Sequence, residues 1–307
     1  MAMKNWQLLA MSSLAALAAT GAQAQAVTDI APDTQQGFDT GTTVSTNGST
    51  TTISGGEAES GNLFHSFSNF DLANGDVAKW VRNAADAPSI LNIINRVRSG
   101  TPSEIDGTLR VTDMPNASFW FINPAGVIFG DGAAVDVPGA AHFSTAHEIV
   151  FADGARFSTV TPDGSTFSSA PPQAFGFLGG QARSDQFGSL LTENSDTSSV
   201  SFVAADVRID GAVFGEGTHF DFAAVGSEAQ TVDVGAIAAP VGDGQVFFTP
   251  GAFVNVDSMN AVGGLVVVEG GQVIGNGTGD LLLRGNEVIV EGGGGVFTEN
   301  RFGVAGD

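Results

Sequence analysis

Short apolar runs separated by turn-forming residues dominate the sequence. At the centre of the chain, residues 119–122 form an aromatic and β-branched run, Asn123-Pro124-Ala125-Gly126 interrupts it, and residues 127–129 resume it. Each run is shorter than a typical helix and has the length of a strand. Proline fixes its own φ near the value that the second position of a β-turn requires. The pattern therefore predicts a strand, a tight turn and a second strand.

Later apolar runs of similar length predict further strands. The candidates are Phe202-Val203, Phe220-Asp221-Phe222, Val246-Phe247-Phe248, Leu265-Val266-Val267-Val268, Leu281-Leu282-Leu283 and Val288-Ile289-Val290. Short strands that return with turn residues are typical of stacked coils in a parallel β-helix. Residues 158–201 break this rhythm with Pro171-Pro172 and a polar run, which predicts an excursion outside the main coil.

Turn motifs recur at a regular interval. The Asp-Gly-Ala motifs at Asp131 and Asp153 start 22 residues apart (153 − 131), and a third begins at Asp210. The glycine-led motifs at Gly271 and Gly293 have the same spacing (293 − 271). Since one coil exposes its apolar face and stacking buries it, this interval favours successive coils of about 22 residues.

Two segments do not show simple strand alternation. Ile90, Ile93, Ile94 and Val97 follow a helical stripe, with Ser89 as a possible N-cap and Gly100 near the expected stop. Read alone, this window predicts a helix. The spacing of the phenylalanines at 64, 67 and 70 predicts instead a strand with a bulge or bend.

Four ordered blocks resemble the N-terminal secretion domain of the filamentous haemagglutinin family, the exoproteins of two-partner secretion in Gram-negative bacteria. They are Asn62-Leu63-Phe64-His65-Ser66-Phe67-Ser68-Asn69-Phe70, Asn92-Ile93-Ile94-Asn95-Arg96-Val97, Ile105-Asp106-Gly107-Thr108-Leu109 and Phe121-Ile122-Asn123-Pro124-Ala125-Gly126-Val127-Ile128-Phe129-Gly130. The last block resembles the NPNG box of the family, with Ala125 in place of its second Asn. No counterpart of the NPNL-like box of some members is present, and weaker similarity extends through residues 172–179.

The resemblance implies an all-β fold, a right-handed parallel β-helix (a single-stranded solenoid) with an N-terminal cap and extra-helical β-hairpins. It favours strands over a helix at residues 90–97. Residues 27–61, in which Asn47-Gly48 predicts a hairpin turn, correspond to the cap. The resemblance implies three sets of functional or structural residues. The secretion turn is Asn123, Pro124, Ala125 and Gly126, and the core of its block is Phe119, Phe121, Ile122, Val127, Ile128 and Phe129. The N-terminal family block is Asn62, Leu63, Phe64, His65, Ser66 and Phe67.

The N-terminus predicts export. Lys4, the apolar residues 8–19 and the A-x-A site ending at Ala24 are typical of a signal peptide spanning residues 1–24, with a second possible site ending at Ala26 and a membrane anchor as the alternative. Residues 25–307 are then one domain, expected to be the N-terminal part of a longer exoprotein because no recognisable polar cap follows the apolar pair Val296-Phe297, with a weak cap at residues 300–307 as the alternative. The chain has no cysteine, which suits export in an unfolded form.

The expected partners are the Sec machinery and an outer-membrane transporter with periplasmic POTRA-type domains, and the expected location is the cell surface or the medium, reached through the periplasm. The formal charge of −22 repels nucleic-acid phosphates and anionic lipid headgroups, so neither is expected as a partner without a bridging cation. The final ligand, expected to be a host or cell-surface molecule as for a surface adhesin or haemagglutinin, does not follow from these residues.

The candidate catalytic motifs are incomplete, which favours a protein that is not an enzyme. His147-Glu148 lacks the second histidine of a zinc-protease motif, and His65 inside the aromatic block favours packing over catalysis. No cofactor is predicted. Calcium at the acidic surface stays open, although residues 275–280 do not match a calcium-binding glycine repeat. The alternative function is a β-helical carbohydrate-active enzyme, a polysaccharide lyase or hydrolase, for which the chain has few basic residues and no tyrosine.

Overall fold

The computed structural model describes residues 27–82, 89–162, 165–180, 184–187, 190–192, 197–237, 242–277 and 279–298. The predicted signal peptide lies outside the described residues. Nearly all regular structure in the described part is β-strand, the exception being one 3₁₀ turn at Val234–Ala236. No helix among the described residues is long and apolar enough to cross a membrane.

The strands, numbered β1 to β29 along the chain, coil into a parallel β-helix with three faces. Face A contains β5 (Asn62–Asp71), β7 (Asn92–Val97), β10 (Ser118–Ile122), β13 (Ala141–Ser144), β19 (Ser199–Ala204), the C-terminal halves of β21 (Ala212–Ala224) and β24 (Phe253–Val262), and β27 (Leu281–Arg284).

Face B follows face A in each coil. It contains β8 (Ser103–Ile105), β11 (Val127–Phe129), β17 (Ser184–Phe187), β20 (Val207–Ile209), β23 (Gln245–Phe248), β25 (Leu265–Glu269) and β28 (Glu287–Glu291). Face C completes the coil with β3 (Thr50–Gly55), β6 (Val77–Trp80), β9 (Thr108–Val111), β12 (Ala133–Asp136), β18 (Leu190–Thr192), the N-terminal halves of β21 and β24, β26 (Gln272–Gly275) and β29 (Gly295–Thr298).

The N-terminal strands cover the first coil. β1 (Asp29–Pro32) and β4 (Glu57–Glu59) pair antiparallel with β5, and β2 (Thr42–Asn47) forms a hairpin with β3. The hairpin loop is Gly48-Ser49, one residue later than the predicted Asn47-Gly48, and Gly48 takes the positive φ of 60° that the loop requires. Because β1, β2 and β4 occupy edges that would otherwise be free, they act as the expected cap.

A second sheet lies outside the coil. It consists of β14 (Glu148–Phe151), β15 (Arg156–Ser158), β16 (Pro172–Phe177) and β22 (Gln230–Asp233), all paired antiparallel. The predicted excursion at residues 158–201 therefore needs correction. It leaves the coil earlier, after β13, and β17, β18 and β19 return to the coil within that range.

This sheet gives the molecule two cores. The interior of the coil is filled by stacked aromatic rings, as in the Phe143, Phe202 and Phe222 column, where successive ring centroids are 5.5 Å apart. The second core lies between face A and the extra-helical sheet and includes Phe64, Ile94, Trp120, Ile122 and Phe175. Strands between the two cores are buried on both sides, which suppresses the alternation of polar and apolar residues.

The recurring interval of 22 residues corresponds to the length of one coil in only part of the chain. Asp131 and Asp210 precede β12 and β21 on face C, whereas Asp153-Gly154 turns between β14 and β15 outside the coil. The interval between Asp131 and Asp153 is therefore not a coil. In the last coils, Val266 pairs with Val288 at an offset of 22 residues (288 − 266), and Gln272 pairs with Gly295 at 23 (295 − 272).

The six candidate runs all form coil strands, in β19, β21, β23, β25, β27 and β28. The window at residues 90–97 contains a strand, β7, and not the helix that its local stripe predicts. The predicted irregularity among the phenylalanines of β5 is a bulge at Ser68, since Ala31 pairs with Asn69 but Pro32 pairs with Phe67. The bulge lets Phe67 and Phe70 both face the interior of the coil.

Candidate functional site

The turn at residues 123–126 is the corner between β10 on face A and β11 on face B. The Gly126 N–H donates to the Asn123 carbonyl at 3.0 Å, and the Asn123 side-chain Oδ1 accepts from the Ala125 N–H at 3.0 Å. Gly126 has a φ of 133°, a conformation that L side chains rarely adopt. Asn123 therefore supplies a side-chain hydrogen bond to this corner, Pro124 restricts φ, and Gly126 adopts the positive φ.

Asn123 also joins the corner to the coils on both sides. Its Nδ2 donates to the Thr101 carbonyl and to Ser103 Oγ in the preceding coil, both at 3.0 Å. Its backbone N–H donates to the Ser144 carbonyl of the next coil, also at 3.0 Å. The side chain is fully buried. The predicted strand, turn and second strand are therefore β10, one of the three corners of a coil, and β11.

A shallow groove of about 280 Å³ runs beside the corner. Pro124 and Ala125 form one side, and both are partly exposed. Arg98 and Gly100 lie at the same corner of the preceding coil, and His147 and Val160 come from the start of the excursion. Burial lowers the pKa of His147, so its imidazole is neutral at pH 7.

The predicted core of the turn block is mostly buried. Phe119, Phe121 and Phe129 face the interior of the coil, Ile122 faces the second core, and Val127 is 3% exposed. Ile128 was also expected in this core, but that expectation is wrong. Its side chain points outward between its two buried neighbours in β11 and is only partly buried.

The N-terminal family block is buried throughout and anchors the excursion. Asn62 Nδ2 donates to the carbonyls of Ser168 and Ala170, both at 2.7 Å, and its Oδ1 accepts from Asn92 Nδ2 at 2.9 Å. Phe64 packs its ring against Phe157, with 5.1 Å between the centroids. Of the other members, Leu63, Ser66 and Phe67 lie in β5 with them.

His65 packs in the core, as predicted. Its Nδ1 lies 3.1 Å from Thr42 Oγ1, and Nε2 has no hydrogen-bond partner among the described residues. Burial lowers the pKa of His65 to about 3, so the ring is neutral at physiological pH.

Arg96 has a structural role that was not predicted from the sequence. It is fully buried and donates to Ser66 Oγ, to the Ser158 carbonyl, to Ser165 Oγ and to the Phe38 carbonyl. The neighbouring Arg98 forms a 2.7 Å ion pair with Asp33. The two arginines therefore hold the N-terminal cap, β7 and the excursion together. The available indication in the sequence was a single arginine, Arg96, inside the otherwise uncharged second family block.

The histidine and carboxylate side chains that could have formed a catalytic or metal site do not share one site. His142 Nδ1 lies 2.7 Å from Ser201 Oγ, whereas His147 Nδ1 accepts from the Leu178 N–H at 3.3 Å, and Glu148 pairs with Arg156. Among the described residues, no group of three or more His, Cys, Asp or Glu side chains could hold a metal ion. Trp80 and Trp120, the tryptophans outside the predicted signal peptide, are 0% and 5% exposed, so neither offers a sugar-stacking surface.

Comparison with known proteins places these features in a family. The profile described as TPS secretion domain matches residues 28–298. The fold is similar to the crystal structure of the filamentous hemagglutinin secretion domain, with a TM-score of 0.56, 15% identity, and coverage of 88% of this chain and 99% of the other. The HMW1 secretion domain from Haemophilus influenzae has a TM-score of 0.45 and 14% identity, with coverage of 89% of this chain and 73% of the other. No curated protein matches.

Proposed function

This chain belongs to the TPS secretion domain family of two-partner secretion exoproteins, and from that premise we propose that it directs its exoprotein through the periplasmic POTRA-type domains and the β-barrel of a partner transporter. Family membership implies secretion across the outer membrane. In this proposal the Sec machinery first exports the chain by means of residues 1–24. The domain then folds outside the cell and starts the folding of the β-helix that follows it. The exoprotein is a surface adhesin, with its final ligand specificity outside this domain.

We further propose that the turn at residues 123–126 serves secretion by driving folding. The observation that carries this proposal is the environment of Asn123. Both Nδ2 donors, Oδ1 and the backbone N–H are engaged within the protein, and the side chain is fully buried. In the folded domain, a transporter has no access to this side chain.

Ala125 supports the same proposal. The third position of the box supplies only its backbone N–H to the turn, as a donor to Asn123 Oδ1, and its side chain is partly exposed. An alanine meets that requirement as well as an asparagine does. A transporter that reads side chains in the unfolded chain would instead distinguish the two residues, because an amide donates and accepts hydrogen bonds and a methyl group does not.

The test measures secretion and refolding together. The chain is produced in a Gram-negative host with and without its partner transporter, and the secreted and periplasmic fractions are compared. We expect secretion only with the transporter, and secretion without it would overturn the proposed route.

Asn123→Ile and Ala125→Asn then separate the two mechanisms. We expect Asn123→Ile to reduce secretion sharply and to slow refolding of the purified domain, and Ala125→Asn to leave both intact or to improve secretion. If Asn123→Ile refolds at the parent rate yet stays in the periplasm, the transporter reads the side chain directly and the folding mechanism is wrong.

A further inference from the structure

A polar pocket of about 300 Å³ lies on the outer surface of face A, and it shares no lining residue with the groove beside the secretion turn. Its floor comes from adjacent coils, in which Asp221 of β21 pairs with Asn260 of β24 and Asn260 pairs with Leu282 of β27. Arg284 lies two residues farther along β27 and also lines the pocket. Parallel register therefore aligns side chains that are distant in the sequence.

The excursion that contains β22 forms the wall of this pocket. Val234 and Ile237 line it from the 3₁₀ turn and the residue after it. Asp233 fixes the wall, because its side chain accepts from the Gly235 N–H at 2.8 Å and from Gln173 Nε2 at 3.1 Å. The pocket thus has a polar floor, a mostly aliphatic wall and a position set by the fold.

Hydrogen bonds fix the orientation of the His219 ring on the floor. Its Nδ1 lies 2.7 Å from Ser258 Oγ, and its Nε2 lies 3.1 Å from Asp221 Oδ1. Since a carboxylate only accepts, Nε2 carries a proton and donates it to Asp221. Asn260 Nδ2 also donates to Asp221 Oδ1, at 2.8 Å. One oxygen of Asp221 therefore receives two donors.

The remaining polar atoms determine what the pocket can bind. Asp221 Oδ2 and Asn260 Oδ1 accept no hydrogen bond from any residue that the structure describes. Both side chains line the pocket, where the guanidinium of Arg284 adds donors. A ligand that fits must donate to two neighbouring acceptors, accept from a guanidinium and place an apolar surface against Val234, Ile237 and Leu282.

We propose that this pocket binds one neutral sugar residue. Vicinal hydroxyl groups donate to Asp221 Oδ2 and Asn260 Oδ1, another sugar oxygen accepts from Arg284, and the C–H face of the ring contacts the aliphatic wall. The volume is at the lower end of the range for small-molecule sites. Although Arg284 is cationic, an anionic ligand is disfavoured on the floor itself, where its charge would meet the Asp221 carboxylate and the Asn260 amide oxygen. Because the described lining residues include no Phe, Tyr or Trp on which a sugar ring could stack, the expected affinity is weak, in the millimolar range.

The test uses the exported, folded chain and saturation-transfer-difference NMR. The probes are methyl α-mannoside, methyl β-galactoside and methyl β-glucoside, with galacturonate as the anionic comparison. We expect saturable millimolar binding of at least one methyl hexoside and weaker binding of galacturonate. If none of the three methyl hexosides binds, or if only galacturonate binds, the proposal is wrong.

Asp221→Asn is the decisive variant, because it keeps the shape of the side chain and an acceptor for His219 while turning the second oxygen into a donor. We expect it to weaken sugar binding about tenfold or more, a loss of roughly 1.4 kcal/mol or more. Asn260→Ala should have a similar effect. Asn255→Ala is the matched control, since Asn255 lies in the same strand but bonds to Asn276 instead of lining the pocket. Equal binding by the parent chain and Asp221→Asn would overturn the assignment.

Discussion

The guanidinium carbon of Arg96 lies 4.1 Å from the centroid of the Phe157 ring. This cation–π contact joins a coil strand to the extra-helical sheet. The same side chain donates to the Phe38 carbonyl in the N-terminal cap at 2.8 Å. Burial lowers the pKa of Arg96 to about 9, which still leaves it charged at neutral pH. This buried cation is held mainly by carbonyl and hydroxyl oxygens, and it is the central contact in the docking of the cap and the excursion, to which Arg98 and Asn62 add further hydrogen bonds.

Arg96→Met should therefore be strongly destabilising. It removes the donors to the Ser158 and Phe38 carbonyls and leaves these groups buried without them, at a cost of about 3–5 kcal/mol in unfolding free energy. Urea denaturation measures the loss. The matched control is Arg208→Met, because the Arg208 side chain is 44% exposed and pairs with Asp210 at the surface. That change should cost less than about 1 kcal/mol. Equal losses of unfolding free energy in the two variants would contradict the role of Arg96 as an anchor between the cap and the excursion.

Phe129→Ala should cost about 3–5 kcal/mol, the usual range for a buried phenylalanine. The Phe129 ring is fully buried, with its centroid 5.0 Å from that of Phe143 and 5.4 Å from that of Phe202. Phe129→Asp should prevent folding. Phe214→Ala is the control in the same denaturation experiment, since Phe214 is 41% exposed and its loss should be much smaller. A denaturation midpoint for Phe129→Ala equal to that of the parent would be incompatible with this packing.

Much of the coil could be predicted because many of its strands bury only one side. The run at Val246-Phe247-Phe248 places Val246 and Phe248 inside and Phe247 partly outside, as a strand pattern requires. The burial of Phe129 follows from the same alternation. The corner at residues 123–126 was predictable from turn chemistry alone, since its asparagine, proline and glycine each have a distinct backbone requirement.

The window at residues 90–97 shows why other parts could not be predicted. Ile93 and Val97 face the interior of the coil, while Ile94 faces the second core under the extra-helical sheet. Burial on both sides removed the alternation and left a spacing that also fits a helix. The floor of the polar pocket was hidden for a different reason. His219 and Ser258 are brought together by the pairing of β21 with β24, which depends on the length of the excursion between them.

The turn itself predicts a contrast between two adjacent positions. Gly126→Ala should destabilise the domain by about 1–3 kcal/mol, because alanine rarely adopts a φ of 133°. Ala125→Asn should change the unfolding free energy by about 0.5 kcal/mol or less, since the side chain is partly exposed and only its N–H serves the turn. Urea denaturation of the two variants checks the contrast. A larger loss from Ala125→Asn than from Gly126→Ala would show that the third position has a packing requirement.

Acidification should destabilise the folded domain through His65 and His142. Burial lowers the pKa of His65 to about 3 and that of His142 to about 4, from an ordinary value of 6.5. Below pH 6.5 the unfolded chain takes up a proton at each position and the folded chain does not. The stabilisation is thus complete above pH 6.5 and is lost as the pH falls toward the folded pKa values. Two such groups together lower the unfolding free energy by roughly 2–2.5 kcal/mol between pH 6 and pH 5.

His219 provides the control of opposite sign for this pH dependence. Its hydrogen bond to Asp221 raises its pKa, so its stabilisation is fully present below pH 6.5 and is lost as the pH rises through the folded pKa. Urea denaturation at pH 7.5, 6 and 5 should therefore give a shallower loss on acidification for His65→Asn than for the parent, because one of the two proton-excluding groups is gone. His219→Asn should give a steeper loss, since it removes the group that opposes them. If the unfolding free energy of His65→Asn falls with pH at the same slope as that of the parent, the imidazole of His65 takes up a proton in the folded chain. The assignment of His65 as a neutral, buried side chain would then be wrong.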